Sequence, residues 1–262
     1  MLYSVIVVTL NAGEKLIETV RNAVRQTYED MEILVKDGGS TDGSVEQLRR
    51  EITDGRVRVI TQPDKGIYDA MNQAVELAQG KFFVFMNCGD YFASSTVLDE
   101  MSHMISKDEK AIYYGDRIQR STGQRETSPK EITKSICYRN IPCHQTCFYS
   151  ADCFAVRKYN PEYRVRADYE HFLWCYFEGK VYFRYVPIAV CSYEGGGFSE
   201  TKQNVKKSAR EHKEIAARYF STWERVSFRL YLILTLQPLR HAMAQSKMFS
   251  GFYAGIVKWI RR

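Results

Sequence analysis

Phe82-Phe83-Val84-Phe85-Met86-Asn87-Cys88-Gly89-Asp90 is the stretch that decides how this chain folds. Its apolar half reads as a strand buried on both faces, and it ends abruptly in Asn, Gly and Asp. In an open α/β fold such a strand delivers its last polar groups to the carboxyl edge of a parallel sheet, where ligands bind. Asp90 would be a hard oxygen donor there, suited to a divalent cation that holds a diphosphate. Read alone, the segment is equally a turn that contains Asp and Gly.

On its N-terminal side, strand and helix signals alternate. Ser4–Leu10 is apolar and β-branched, and Glu14–Gln26 repeats Leu16, Val20, Ala23 and Val24 at helical spacing. Glu32–Lys36 is a strand that breaks into Asp37–Gly43, followed by a short helix over Ser44–Arg50 with Asp42 or Ser40 as its cap. Arg56–Thr61 is a strand, and Gly66–Gln79 a helix with Ile67, Met71, Ala74 and Ala78 on one face. This order implies a parallel sheet with right-handed crossovers. It brings Thr9-Leu10-Asn11, Asp37–Asp42 and Asn87–Asp90 to one edge.

Beyond Asp90 the spacing predicts a helix over Ser95–Ser106, a strand over Ala111–Tyr114 and a polar loop over Gln119–Ile132. Pro142–Ser150 reads as a strand carrying His144 and Gln145, and Asp168–Phe177 as an aromatic-rich helix. Val181–Val186 and Ile188–Tyr193 read as two strands, Gly195–Ser199 as a glycine hinge or lid, and Lys202–Phe220 as a charged helix.

The bulk numbers describe one large α/β domain with an appendage: 262 residues, 45% hydrophobic and 26% charged. The net charge of +6 is entirely local, because Trp223–Arg262 holds seven Lys/Arg and one Glu while residues 1–222 carry thirty of each sign. No nucleic-acid partner is expected. Seven cysteines without a CxxC pair argue for structural thiols in a reducing compartment. Met1–Val8 reads as a first strand rather than a signal peptide. Neither GxGxxG after the first strand nor GxxxxGK[ST] occurs, which disfavours dinucleotide oxidoreductases and P-loop enzymes.

Taken together, Ser4–Asn11, Asp37–Ser44, Asp64–Asn72 and Asn87–Asp90 resemble the motifs of family 2 glycosyltransferases, in order and in spacing. The resemblance is strongest to the branch found in bacterial exopolysaccharide, colanic acid and O-antigen clusters, and it covers roughly residues 1–195. It implies the GT-A fold, a Rossmann-like and mostly parallel sheet flanked by helices, over 1–222, with a helical appendage over 223–262. It also implies inverting, Mg2+- or Mn2+-dependent transfer of a hexose from a nucleotide sugar, a UDP-sugar above all, to a lipid-linked saccharide.

The resemblance assigns Asp37 and Thr9 to the nucleobase, although Asp37 would equally close an Asx turn. Asn11, Lys65, Gly66, Asp69 and Asn72 join the nucleotide-sugar set. Met71 stands where the family has Arg before that Asn, so Lys65 is the substitute charge. Asn87-Cys88-Gly89-Asp90 stands where the family has Asp-x-Asp-Asp, leaving Asp90 as metal ligand and Asn87 for ribose or water. Asp168 in Arg166-Ala167-Asp168-Tyr169-Glu170 matches the family's catalytic base, with a helix cap as its plain alternative and Glu170 as a competing base. His144 and Gln145 resemble a pair lining the donor-sugar or acceptor pocket; a core histidine is the other reading.

In 223–262, Phe249, Phe252, Tyr253, Ile256 and Ile260 share one helical face beside Lys and Arg, and no run reaches the ~20 apolar residues of a bilayer span. An anionic membrane surface, the core or a homodimer partner could each take that face. The expected location is cytoplasmic, peripheral at the inner face of the cell membrane. Two other functions fit less well. A sugar nucleotidyltransferase would need a better phosphate loop than Asn11–Lys15, and a degenerate membrane-bound scaffold would account for the thinned metal motif.

Overall fold

Nine strands form one sheet in the computed structural model, which describes residues 1–193, 195 and 201–234. β1 (Tyr3–Thr9) is central and pairs in parallel with β2 (Met31–Asp37) and β4 (Phe82–Phe85); β3 (Val57–Thr61) extends the parallel half beyond β2. All three inner strands are mostly apolar and almost wholly buried because both faces are covered. On β1, Tyr3, Val5 and Val7 enter one core layer and Ile6 the other, as the two-residue period requires. Helices α1 (Glu14–Val24) and α2 (Ser44–Glu51) cover the first face, and α3 (Ile67–Leu77) the second.

Past β4 the sheet turns mixed. β5 (Tyr91–Phe92) leads to α4 (Val97–Ser102), β6 (Ala111–Gln119) and β7 (Gln124–Glu126), then to α5 (Lys134–Arg139), β8 (Cys147–Ser150) and α6 (Asp152–Ala155). β8 runs antiparallel between β4 and β6, and β9 (Tyr182–Tyr193) lies between β6 and β5. α7 (Ala167–Phe177) and α8 (Lys202–Tyr219) add to the second layer, and α9 (Thr222–Leu234) packs Phe228 against Tyr138 and Phe220. No helix of the described residues is long and apolar enough to cross a membrane.

Several predicted elements change. The polar loop 119–132 contains the β6–β7 hairpin, tied by Arg117 to Glu126 at 2.7 Å. The two strands expected around Pro187 are one, because a bulge absorbs the proline: Tyr114 pairs with Tyr185 but Asp116 with Ala189. Opposite the bulge, a Cβ on Gly115 would lie 2.6 Å from Ile188 O, so the close approach needs glycine. His144–Thr146 is a turn of 3-10 helix rather than strand, and α4 is shorter than expected. The hinge after Gly195 and the amphipathic face from Phe249 to Ile260 lie outside the described residues.

Candidate active site

Three loops meet at the carboxyl edge of the parallel half, and their own side chains tie them together. Asn11, at φ 51, accepts from Thr41 N at 2.8 Å while its N–H donates to Ser40 Oγ at 2.8 Å. Asp42 accepts from Gly13 N and from the Ser44 amide and hydroxyl, so one carboxylate closes the start of both α1 and α2. The Ser44 hydroxyl bond is the main reason that its pKa lies below the ordinary value. Asp37 Oδ1 takes both the N–H and the hydroxyl of Ser40, three residues on, rather than closing an Asx turn. Below it the fully buried Lys36 donates to Gln62 O at 2.6 Å and pairs with Asp64 at 3.2 Å.

Asp64 also accepts from Gly66 N, and Asp69 reaches back to Lys65 N at 2.8 Å, which caps α3. Gly66 sits at φ 134, open to glycine and costly for any other residue. Thr9, Leu10, Asp64–Ala70 and Arg164 line a cavity of about 390 Å³ there. Thr9 Oγ1 is buried without a hydrogen-bond partner among the described residues.

Beside it opens a larger cleft of about 1160 Å³. The Asn87–Asp90 turn forms its floor and is held from three sides. Thr19 Oγ1 accepts from Gly89 N and donates to Asp90 O, Arg120 donates to Gly89 O at 2.8 Å, and Gln145 donates to Asp90 Oδ2 at 2.7 Å. Cys143 Sγ fixes the other end of the Gln145 amide. His144 is buried, stacks on Phe85 at 4.8 Å and shares a hydrogen bond with Tyr159; burial lowers its pKa, so the ring is neutral. Lys15, Arg117, Arg139 and Arg166 line the cleft with Asp90, Glu126 and Asp168, Arg117 being paired with Glu126, and cations of this kind suit phosphate.

Asp168 and Glu170 part company. Asp168 is half-buried in the cleft wall and accepts from Tyr68 Oη at 2.7 Å. Glu170 is fully buried behind it and bound to Arg157 at 2.5 Å and Tyr219 at 2.8 Å, so it is a structural ion pair, not a competing base. The cap of α7 is not Asp168 either: Arg166 holds that position, and the Glu211 carboxylate of α8 accepts from the N–H groups of Arg164, Val165 and Arg166 at 2.9–3.0 Å.

Thus Thr9, Asn87, Asp90, His144, Gln145 and Asp168 line the cleft, and Lys65, Gly66 and Asp69 line the smaller cavity with Thr9. Asn11 lines neither cavity and acts as a loop tie. Two more assigned residues are not brought in. Asp37 lines neither cavity, and Asn72 spends both ends of its amide on the backbone of Tyr159 at 2.8 and 2.9 Å. Asp64, Tyr68, Arg164 and Glu211 join the site through contacts distant in sequence that no local pattern signals, although Asp64 and Tyr68 lie within the Asp64–Asn72 motif. Among the described residues no three His, Cys, Asp or Glu side chains converge as a metal cluster. Asp90 alone, a hard carboxylate, fits Mg2+ or Mn2+ only where substrate oxygens complete the shell.

A parallel half-sheet with this cleft at its carboxyl edge is the frame of the GT-A glycosyltransferases, and 160 of the 262 residues lie in a more specific match. The model of Glycosyl transferase family 2 fits residues 4–163, and the chain belongs to that family. It is 34% identical over 205 residues to a PGL/p-HBAD biosynthesis glycosyltransferase of Mycobacterium bovis (strain BCG / Pasteur 1173P2), covering 76% of this chain and 80% of that one. It is 30% identical over 150 residues to the UDP-Glc:alpha-D-GlcNAc-diphosphoundecaprenol beta-1,3-glucosyltransferase WfaP of Escherichia coli, covering 54% and 58%. Among solved structures, mannosyltransferase PcManGT from Pyrobaculum calidifontis in complex with GDP-Man and Mn2+ superposes with a TM-score of 0.60 at 16% identity, over 96% of this chain and 83% of that one. The protein is a family 2 glycosyltransferase.

Proposed function

We propose that the chain transfers a hexose, with inversion, from a UDP-sugar to a lipid-linked saccharide. The observation that carries this reading is the placement of Asp168, half-buried in the wall of the cleft whose floor is the Asn87–Asp90 turn. The smaller cavity, with the unpartnered Thr9 hydroxyl, takes the nucleoside, and the basic wall of the cleft takes the diphosphate. WfaP, by its name, joins UDP-Glc to a diphosphoundecaprenol-linked sugar, which supports both substrate classes.

In this reading Asp168 removes the acceptor hydroxyl proton as the oxygen bonds to the anomeric carbon. The bond from that carbon to the diphosphate oxygen breaks on the opposite face, and Asp168 releases its proton to water. Asp90 would hold Mg2+ or Mn2+ together with phosphate oxygens, and the cation, when bound, neutralises charge on the leaving diphosphate. Residues 223–262 act as a basic appendage to the 1–222 catalytic domain. Trp223, Val226, Leu230 and Ile233 are exposed on α9, which suits an anionic membrane surface at the inner face of the cell membrane.

A panel of UDP-, GDP- and dTDP-hexoses with a lipid-linked acceptor tests the reading. Nucleoside diphosphate release with wild type, and none with Asp168→Asn that still binds UDP, is the expected result. Conversion of an NDP-hexose to nucleoside triphosphate and sugar 1-phosphate on addition of pyrophosphate would make the protein a nucleotidyltransferase, no turnover in either assay a scaffold, and an active Asp168→Asn enzyme would remove the base assignment.

A further inference from the structure

Tyr68 stands where the two cavities adjoin and lines both. Its hydroxyl lies 2.7 Å from Asp168 Oδ1 and 2.9 Å from Val165 O. One phenolic proton serves two acceptors, and the carboxylate is the stronger because its bond is charge-assisted. No hydrogen bond reaches Asp168 Oδ2 among the described residues. Glu211 fixes the backbone just before Asp168, whereas Tyr68 fixes the carboxylate itself.

The surroundings leave the phenol as a donor. Burial, followed by the nearby charge of Asp168, raises the Tyr68 pKa well above the ordinary value, so its proton is not itself in play. Tyr159, His144 of the 3-10 turn, and Cys147 and Tyr149 of β8 also feel the charge of Asp168. All are buried, and burial holds each neutral.

We propose that Tyr68 is a positioning residue. Its hydroxyl holds one oxygen of Asp168 so that the other meets the acceptor, and it ties that placement to the Gly66–Asp69 turn that receives the donor. The proposal rests on the reading of Asp168 as base. Tyr68 belongs to the turn whose Gly66 and Asp69 line the smaller cavity, so a donor seated there bears on the segment that orients the base. The hydroxyl thereby spans a sequence separation of 100 residues between the donor half and the acceptor half of the site.

The test is Tyr68→Phe in the full chain, with the donor that the panel selects, under steady-state conditions. Turnover should fall about 10- to 100-fold, the loss expected when a catalytic group is mis-set by an ångström or so. The donor KM, the UDP affinity by calorimetry and the melting temperature should stay close to wild type. That split is one a purely structural role would not produce. Turnover within twofold of wild type overturns the proposal. So does a matched loss of turnover and UDP affinity, which would make Tyr68 part of the donor cavity, or a collapse of melting temperature, which would assign it to packing. If wild type transfers sugar and Asp168→Asn does too, the reading of the base has failed, whatever Tyr68→Phe shows.

Discussion

Glu211→Gln should destabilise the protein by about 3 kcal/mol, because the carboxylate serves three backbone donors at once. Glu211 is 2% exposed; Oε2 accepts from Val165 N and Arg166 N, and Oε1 from Arg164 N. A glutamine whose oxygen takes the Oε2 place keeps two bonds, weakened by loss of charge, and turns its NH2 toward the Arg164 N–H. One buried donor is then stranded, at about 1–3 kcal/mol, and the bonds that remain lose roughly half their strength. Loss of a negative charge at the start of α7 adds about 0.3–1 kcal/mol. At about 2–4 °C per kcal/mol for a chain of this size, the melting temperature should drop by about 10 °C. Urea unfolding followed by circular dichroism measures it. A loss under about 1 kcal/mol would show that water replaces the carboxylate, and the account of what holds the Arg164–Asp168 turn would be wrong.

Three further outcomes follow from other parts of the molecule. His171 stacks on Phe154 at 4.5 Å, hydrogen-bonds to the carbonyls of Cys153 and Arg157, and burial lowers its pKa from 6.5 to about 4. The unfolded chain therefore binds the proton first, and stability falls as pH drops from about 6.5 to about 4, by up to about 3 kcal/mol. Urea midpoints across that window should decline in wild type and decline less in His171→Phe; parallel slopes would rule the histidine out. In a titration of the free protein, Mn2+ should bind weakly until UDP is added, since Asp90 is the one carboxylate of the turn; tight binding without nucleotide would contradict this. Removal of residues 223–262 should abolish co-sedimentation with anionic vesicles, and undiminished sedimentation would sink the membrane role of that segment.

The parallel half of the sheet was legible because strands buried on both faces leave mostly apolar runs, and their polar ends mark the edge by themselves. The mixed half was not. Pro187 reads as a break in any local pattern, and only the bulge opposite Gly115 shows how one strand accommodates it. Asp168 could be found from its motif, but its separation from Glu170 could not, since the Arg157 and Tyr219 groups that bind Glu170 lie 13 and 49 residues away. Asn72 shows the same limit from the other side. A polar residue on a helix near the site looks available until the backbone of Tyr159, 87 residues on, is seen to occupy it. Lys36 sits in an apolar strand where its charge would be expected to face solvent, and its burial depends on Asp64, which belongs to a different loop.

The cross-ties at the sheet edge bear on how the protein chooses among substrates. Asn11 to Thr41 and Ser40, Asp42 to Gly13, and Lys36 to Asp64 join the three loops through side chains of the chain itself. These ties favour one shape of the rim, so a donor seated there would have less loop entropy to remove. Discrimination between one sugar nucleotide and another then falls on fit to a fixed mould, so a narrowed or widened preference should come from substitutions that reshape the walls and leave the ties intact.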